Sequence, residues 1–338
     1  MRREKRTKED TIKKILPFLL VVIVMVMVTT IFFRKVDQKS IATTPEETTE
    51  TLSLNTVKIH GVPCTPKNNI KTYLLMGLDA SGEAVAKEKY DGTGQCDSLQ
   101  VVVVDQEAGT WTRIPINRDT MTEVRSLDEK GNYLATTKVQ IAMAHANGDG
   151  MELSCENTVD AVSNLLYGQK IDGYASLNLD AIEVLNHLVG GVTVTIEDDF
   201  SQVDPDLQKG KTVTLTDEQA MTFVRGRKNI GDQTNENRMK RQTAYLKALE
   251  PKLREKCQSD SNFPLEMYDE MQPYMVTNLS RNDFIKLAAD ILDKEEKDIL
   301  EIKGTSAEGD HGFNEFTADK DSLADVVIEA FYNKIKGE

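Results

Sequence analysis

Four arginines, Arg225, Arg227, Arg238 and Arg241, fall within seventeen positions of an otherwise acidic chain. Guanidinium groups at that density call for an anion, and their planar fork suits phosphate oxygens better than a lysine ammonium does. The residues around them predict how they are held. Thr216 and Gln219 make a capping box that opens a helix with Ala220, Met221, Phe223 and Val224 as its apolar members. Arg225 and Arg227 follow two apart, just past that helix, where an extended segment projects both to one side. A second helix opens near Asn235, because Met239, Leu246, Leu249 and Leu253 recur at helical spacing. Arg238 and Gln242 are then one turn apart near its N-terminus, where free backbone N–H groups and the macrodipole favour negative charge. The alternative is a salt-bridged surface with Glu218, Asp232 and Glu236 as partners.

A second set of chemical groups lies upstream. Asp79 ends one apolar run and Asp97 begins the next. If the two runs are antiparallel neighbours, both carboxylates lie at one end of a sheet, where open α/β sheets place their sites. Two carboxylates with phosphate oxygens and water make an oxygen-only shell suited to Mg²⁺, although aspartates also cap strands and turns. Arg118 and Asp119 follow a third run, so that Arg118 could join the arginine cluster while Asp119 orients an arginine or accepts a proton. Lys138 and His145 precede the Gly-rich stretch AHANGDG. A lone histidine is more often a packed or hydrogen-bonded residue than a catalyst.

These groups need a scaffold, and short β-branched runs predict it. Strands are expected at 72–79, 98–105 and 110–116, the last two joined by an EAG turn. Helices are expected at 153–166 and 179–188, the second stopped by Gly190 and Gly191, with a further strand at 192–196. Alternating strands and helices over 70–250 predict an α/β fold: an α/β/α sandwich around a mixed sheet, preceded by one transmembrane helix. Residues 251–338 carry helical patterns at 282–292 and 321–335 around a short strand at 299–302. They read as a C-terminal α/β extension packed on the same body. The division is thus a cytoplasmic tail at 1–14, an anchor at 15–33, a linker and lead-in at 34–70, a catalytic domain at 71–250 and the extension at 251–338.

The anchor rests on nineteen uncharged residues at 15–33, enough for one membrane-spanning helix. Seven basic residues precede it, which places the N-terminus in the cytoplasm and the bulk of the chain outside. No small-residue cleavage site follows directly, so the segment reads as an uncleaved anchor. The Thr-, Ser- and Glu-rich stretch at 37–56 reads as a flexible linker reaching about 25 Å, which keeps the folded part near the lipid. Positions 1–36 hold nine of the 41 basic and three of the 55 acidic residues, leaving 32 against 52, a formal charge of about −20. Such a surface argues against DNA or RNA as a partner. Cys64, Cys96, Cys155 and Cys257 are scattered without a C-x-x-C, so a zinc site or thioredoxin-like motif is not expected. One or two disulfides and free buried thiols both remain open. The sequence lacks G-x-S-x-G, H-E-x-x-H, a Walker loop and G-x-G-x-x-G.

Taken in order, LLMGLDASG, CDSLQVVVVDQEAGTWTRIPINRDT, KVQIAMAHANG, IDGYASLNLDAIEVLNHLVGGVTV, AMTFVRGRKN and DQTNENRMKRQ cover 72 to about 250. This series, behind an N-terminal apolar segment, resembles the LytR-CpsA-Psr family of bacterial cell-envelope proteins. The resemblance implies an α/β/α sandwich with a hydrophobic tunnel for a lipid tail, drawing on helix faces at 159–166 and 181–188. It implies a phosphotransferase that moves a glycopolymer, such as teichoic acid or capsule, from a polyprenyl-pyrophosphate carrier to peptidoglycan through a phosphodiester. By position, Asp79 and Asp97 match the family's Mg²⁺ ligands. Arg118, Arg225, Arg227, Arg238 and Gln242 match its pyrophosphate-binding residues, and Asp119 matches the Asp of its Arg-Asp motif, here the candidate base. Three features depart from the family pattern. Gln95 stands where an arginine is usual, Asn117 replaces a proline, and the loop from Asp79 to Asp97 is longer.

Three other functions use the same residues differently: a non-catalytic binder of lipid-linked or wall glycans, a membrane-anchored transcriptional attenuator, and a pyrophosphate hydrolase. A cytoplasmic tail of about fourteen residues is too short to fold, which disfavours the attenuator.

Overall fold

The apolar runs become adjacent strands of one sheet because their β-branched residues are covered on both faces. In a computed structural model, residues 56–335 are described, apart from 88–92, 129–130, 227, 234 and 310–311, and with backbone alone at 235, 236 and 239. The apolar segment at 15–33 and the greater part of the linker lie outside the described residues. Among the described residues no helix is long and apolar enough to cross a membrane.

The central sheet has six strands: β1 (Ile70–Leu78), β2 (Cys96–Asp105), β3 (Thr110–Ile116), β4 (Gly173–Leu177), β5 (Met275–Thr277) and β6 (Glu295–Glu296). Their spatial order is β5-β4-β1-β2-β3-β6. The β1–β2, β2–β3 and β4–β5 pairs are antiparallel, while β1–β4 and β3–β6 are parallel, so the sheet is mixed as expected. Both edge strands come from residues beyond 250.

Alternation along the strands divides the core in two. Tyr73, Leu75, Val102 and Val104 face the helices α2 (Ala181–Leu188), α3 (Asp217–Arg225), α4 (Asn235–Ser259), α5 (Phe263–Met271) and α6 (Arg281–Asp293). Leu74, Met76, Val101 and Val103 face α1 (Glu152–Leu165) and α7 (Lys320–Phe331). Phe223, the anchor of α3, is 1% exposed and stacks on Phe200 at 5.8 Å. Truncating such a residue to alanine costs about 3–5 kcal/mol.

Two expected strands come out differently. Thr193–Thr195 does form, but it pairs with Thr212–Thr214 as a separate ribbon. Residues 299–302 form no strand; this segment runs beside β3 irregularly, held where Leu300 N–H donates to the Arg113 carbonyl at 2.9 Å. Three hairpins were not anticipated: Val57–Ile59 with Val62–Pro66, Met121–Leu127 with Tyr133–Gln140, and Gly304–Glu308 with Asn314–Ala318. All four cysteines are free and buried.

Candidate functional site

The register of β1 and β2 sets the two carboxylates side by side. Gly77 pairs with Ser98, a bulge follows, and Leu78 pairs with Cys96. Asp79, just beyond β1, then donates its backbone N–H to the Gln95 carbonyl at 3.1 Å. Asp79 and Asp97 therefore lie at the same end of the sheet. Asp79 is exposed and Asp97 half-buried. Burial pushes the Asp97 carboxyl above its usual range; Arg118 opposes that rise, Asp79 adds to it, and Arg238 also opposes it. The three residues named by their charge are thus all within electrostatic reach of Asp97.

Arg118, two residues past the end of β3, reaches that same end of the sheet. Its Nη1 donates to Asp97, its Nη2 donates to Gln95 Oε1 at 2.5 Å, and its Nε lies 3.6 Å from Asp119 Oδ1. Gln95, which stands where the family usually has arginine, here serves as an acceptor that orients Arg118. Asn117 is equally informative. Its side-chain oxygen accepts the Asp119 backbone N–H at 2.9 Å, an Asx turn that no proline could form. Backbone bonds complete the frame: Ala142 N–H donates to the Arg118 carbonyl and Cys96 N–H to the Ala142 carbonyl, both at 3.1 Å.

Asp119 has no free carboxylate oxygen. Gln140 Nε2 donates to Oδ1 and Asn314 Nδ2 to Oδ2, each at 3.1 Å. Of the two roles open to Asp119 from sequence, this geometry favours orienting an arginine. Neither Gln140 nor Asn314 carried a signal in the sequence, because Asn314 lies 195 positions from Asp119.

The opposite wall is the junction of α3 and α4. The Thr216–Gln219 capping box is present, and α3 ends on Arg225, which belongs to its last turn rather than to the extended segment expected after it. Gly226 follows, and a Cβ there would meet the Thr222 carbonyl oxygen at 2.5 Å and Ile230 at 2.4 Å, so the chain turns where no side chain fits. Arg225 is exposed, and its guanidinium has no partner among the described residues. Arg227 lies outside the described residues. The helix α4 begins at Asn235 as expected and carries Arg238 in its first turn, with the Nε buried and unpartnered. Gln242, one turn on, donates to the Val224 carbonyl at 3.3 Å and so ties α4 to the end of α3 beside Arg225.

Arg241 does not join this set. It is 4% exposed, and its guanidinium donates to the Phe223 carbonyl at 2.9 Å, to the Gly226 carbonyl and to Asp198. It holds the end of α3 in place and is spent on that task. Lys138 is exposed on the Tyr133–Gln140 strand. His145 is fully buried, with Nδ1 2.9 Å from the Gly94 carbonyl and Nε2 3.9 Å from Cys155 Sγ. Burial lowers its pKa to about 4, so the ring is neutral and pins the chain just before Gln95. The two helix faces expected to share a lipid channel lie on opposite sides of the sheet, 159–166 with one core and 181–188 with the other. They do not line one tunnel together.

Asp79, Arg118 and Arg238 thus lie around Asp97 at one end of the sheet. The sequence pattern of the LytR_cpsA_psr family matches residues 27–330. A protein of Halalkalibacterium halodurans named polyisoprenyl-teichoic acid--peptidoglycan teichoic acid transferase TagU is 30% identical over 157 residues, which is 46% of this chain and 44% of that one. The chain thus spans about half the length of the first curated relatives it matches. A Bacillus licheniformis protein of the same name is 27% identical over 259 residues, 76% of this chain and 75% of its own. Among solved structures, "TagT bound to LI-WTA" aligns with a TM-score of 0.51 at 25% identity, covering 78% of this chain and 90% of that chain. The Streptococcus agalactiae protein gbs0355 shares the fold with a TM-score of 0.55 at 20% identity, covering 77% of this chain and 87% of its own. With the family pattern running through residues 27–330, nearly the whole chain, the chain belongs to the LytR-CpsA-Psr family.

Proposed function

We propose that this protein is a membrane-anchored, extracellular phosphotransferase that moves a glycopolymer from a polyprenyl-pyrophosphate carrier to peptidoglycan. The observation that carries the reading is the gathering of Asp79, Arg118 and Arg238 around Asp97 at one sheet end, each within electrostatic reach of that carboxylate. The relatives named as teichoic acid transferases support it.

Phosphoryl transfer needs little covalent help from a protein; it needs charge on the phosphate oxygens to be neutralised and the nucleophile held in line. Arg118, Arg225, Arg227, Arg238 and Gln242 would hold the pyrophosphate. Two carboxylates at one strand end, one raising the other's pKa, form a hard oxygen donor set that fits Mg²⁺. Among the described residues no group of three or more His, Cys, Asp or Glu could hold a metal, so pyrophosphate oxygens and water would complete the shell. When bound, the ion would supply charge neutralisation at the pyrophosphate. Arg118, now paired with Asp97, would exchange that partner for a phosphate oxygen while Gln95 and Asp119 keep its plane fixed. A sugar hydroxyl of the wall attacks the sugar-side phosphorus, the bridging P–O bond breaks, and polyprenyl phosphate leaves with the bridging oxygen. The hydroxyl proton passes to the leaving phosphate or to water.

The paired change Asp79→Asn with Asp97→Asn tests this reading against simple glycan binding. Binding of a polyprenyl-pyrophosphate glycan should survive while transfer disappears. Transfer at the unmodified rate would remove both carboxylates from the chemistry.

A further inference from the structure

The hairpin Gly304–Glu308/Asn314–Ala318 lies far along the chain from the site residues, yet it closes on Asp119 at three points. Asn314 Nδ2 donates to Asp119 Oδ2 at 3.1 Å, Phe316 N–H donates to the Asp119 carbonyl at 2.8 Å, and Gln140 Nε2 bridges Asp119 Oδ1 at 3.1 Å and the Asn314 carbonyl at 2.6 Å. A parallel bridge between Thr120 and Phe316 fixes the register of this contact. Phe316 is 2% exposed and anchors the hairpin, whereas Asn314, two residues before it, is exposed. Phe316 anchors the hairpin through its side chain, whereas the side-chain contact with Asp119 is made by Asn314.

A carboxylate with one oxygen unheld would rotate about its terminal torsion, which is broad. Here the two amides fix both oxygens. Asp119 Oδ1, 3.6 Å from Arg118 Nε, is then set against the guanidinium edge away from Asp97. Gln95 and Asp97 accept hydrogen bonds from Arg118, and Asp119 faces the unbonded Nε as an ion-pair partner, so removing the hold on Asp119 loosens one of the three contacts that orient the guanidinium. Orientation of this kind acts on the rate more than on substrate affinity.

We propose that Asn314 is a positioning residue of the transfer site, acting through Asp119 on the orientation of Arg118. The inference rests on the transfer reading for its rate effect, though not for its geometry. Its test uses the full chain in detergent micelles, with ¹⁵N-labelled arginine. Asn314→Ala should lower kcat three- to tenfold with the KM for a polyprenyl-pyrophosphate donor unchanged within twofold, and should speed hydrogen exchange at the Arg118 Nε–H at least threefold. In an Asp119→Asn background the same change should add nothing. Thr317→Ala, on the exposed face of the same hairpin, should leave both readouts as they are. An Asn314→Ala loss that multiplies fully with that of Asp119→Asn, or an unaltered Arg118 exchange rate, overturns the proposal. If the unmodified chain transfers nothing, the transfer reading fails, and the exchange measurement alone decides this one.

Discussion

Arg118 donates one hydrogen bond to Asp97 and another to Gln95, so a residue matched to phosphate binding is paired with one matched to metal binding. Under the proposed function that pair would open for a dication and a pyrophosphate, and each would ease the arrival of the other, because the ion would be held by the carboxylate and the phosphate by the guanidinium. Mg²⁺ and a pyrophosphate donor should therefore bind cooperatively, each raising the other's affinity at least fivefold in calorimetric titrations. In Arg118→Gln, Mg²⁺ alone should bind more tightly than in the unmodified chain. Independent binding of the two would dissolve this link.

Gln95 supplies Arg118 with an acceptor at 2.5 Å. A hydrogen bond to a charged group contributes about 1.5–3 kcal/mol in favourable settings, and less at a half-exposed site such as this. Gln95→Ala should reduce kcat about three- to tenfold with a melting temperature unchanged within about 2 °C. Gln95→Arg should be worse, since it sets a second guanidinium where an acceptor stood. Steady-state kinetics on the two variants give the order directly.

Arg241 shows where density of charge misled. From spacing alone it stands with Arg225, Arg227 and Arg238, yet it is 4% exposed and bonded to two carbonyls and Asp198. Removing one partner of a buried ion pair costs about 3–5 kcal/mol. Arg241→Ala should lower unfolding free energy by about 3 kcal/mol in urea titrations. Arg241→Lys should recover little of it, because an ammonium cannot reproduce the fork.

His145 gives a pH signature. Burial lowers its pKa from 6.5 to about 4, so the unfolded chain binds the proton more readily than the folded one. Its contribution is complete above about pH 6.5 and is lost as pH falls toward 4, amounting to about 3 kcal/mol at 1.4 kcal/mol per pH unit. His145→Gln should flatten the fall in melting temperature between pH 6.5 and 4. An unchanged slope would mean that other groups carry the acid sensitivity of this region.

The sheet and the two carboxylates were legible in the sequence because their signals are local. Each of the runs at 72–79, 98–105 and 110–116 is short, largely apolar and followed or preceded by turn residues, and antiparallel pairing then places Asp79 and Asp97 together. The capping box at Thr216 was legible for the same reason. What was not legible depends on distant partners. Glu295–Glu296 offers two charged residues and no periodicity, and becomes a strand only because β3 has an open edge. The hold of Asn314 on Asp119 is long-range and polar, and nothing in either neighbourhood announces it. Arg225 was expected just past its helix, whereas the helix takes Arg225 into its last turn and turns at Gly226.

The central claim is transfer itself. The full chain in detergent micelles should join a labelled glycan from a polyprenyl-pyrophosphate donor to peptidoglycan oligomers through a phosphodiester, in the presence of Mg²⁺ and not with EDTA. Arg225→Ala should lower the rate at least tenfold, equal to about 1.4 kcal/mol of transition-state stabilisation. Metal-dependent product that falls with this arginine is the predicted result. A chain that binds the donor but forms no product with any metal would contradict the account and leave a glycan-binding protein in its place.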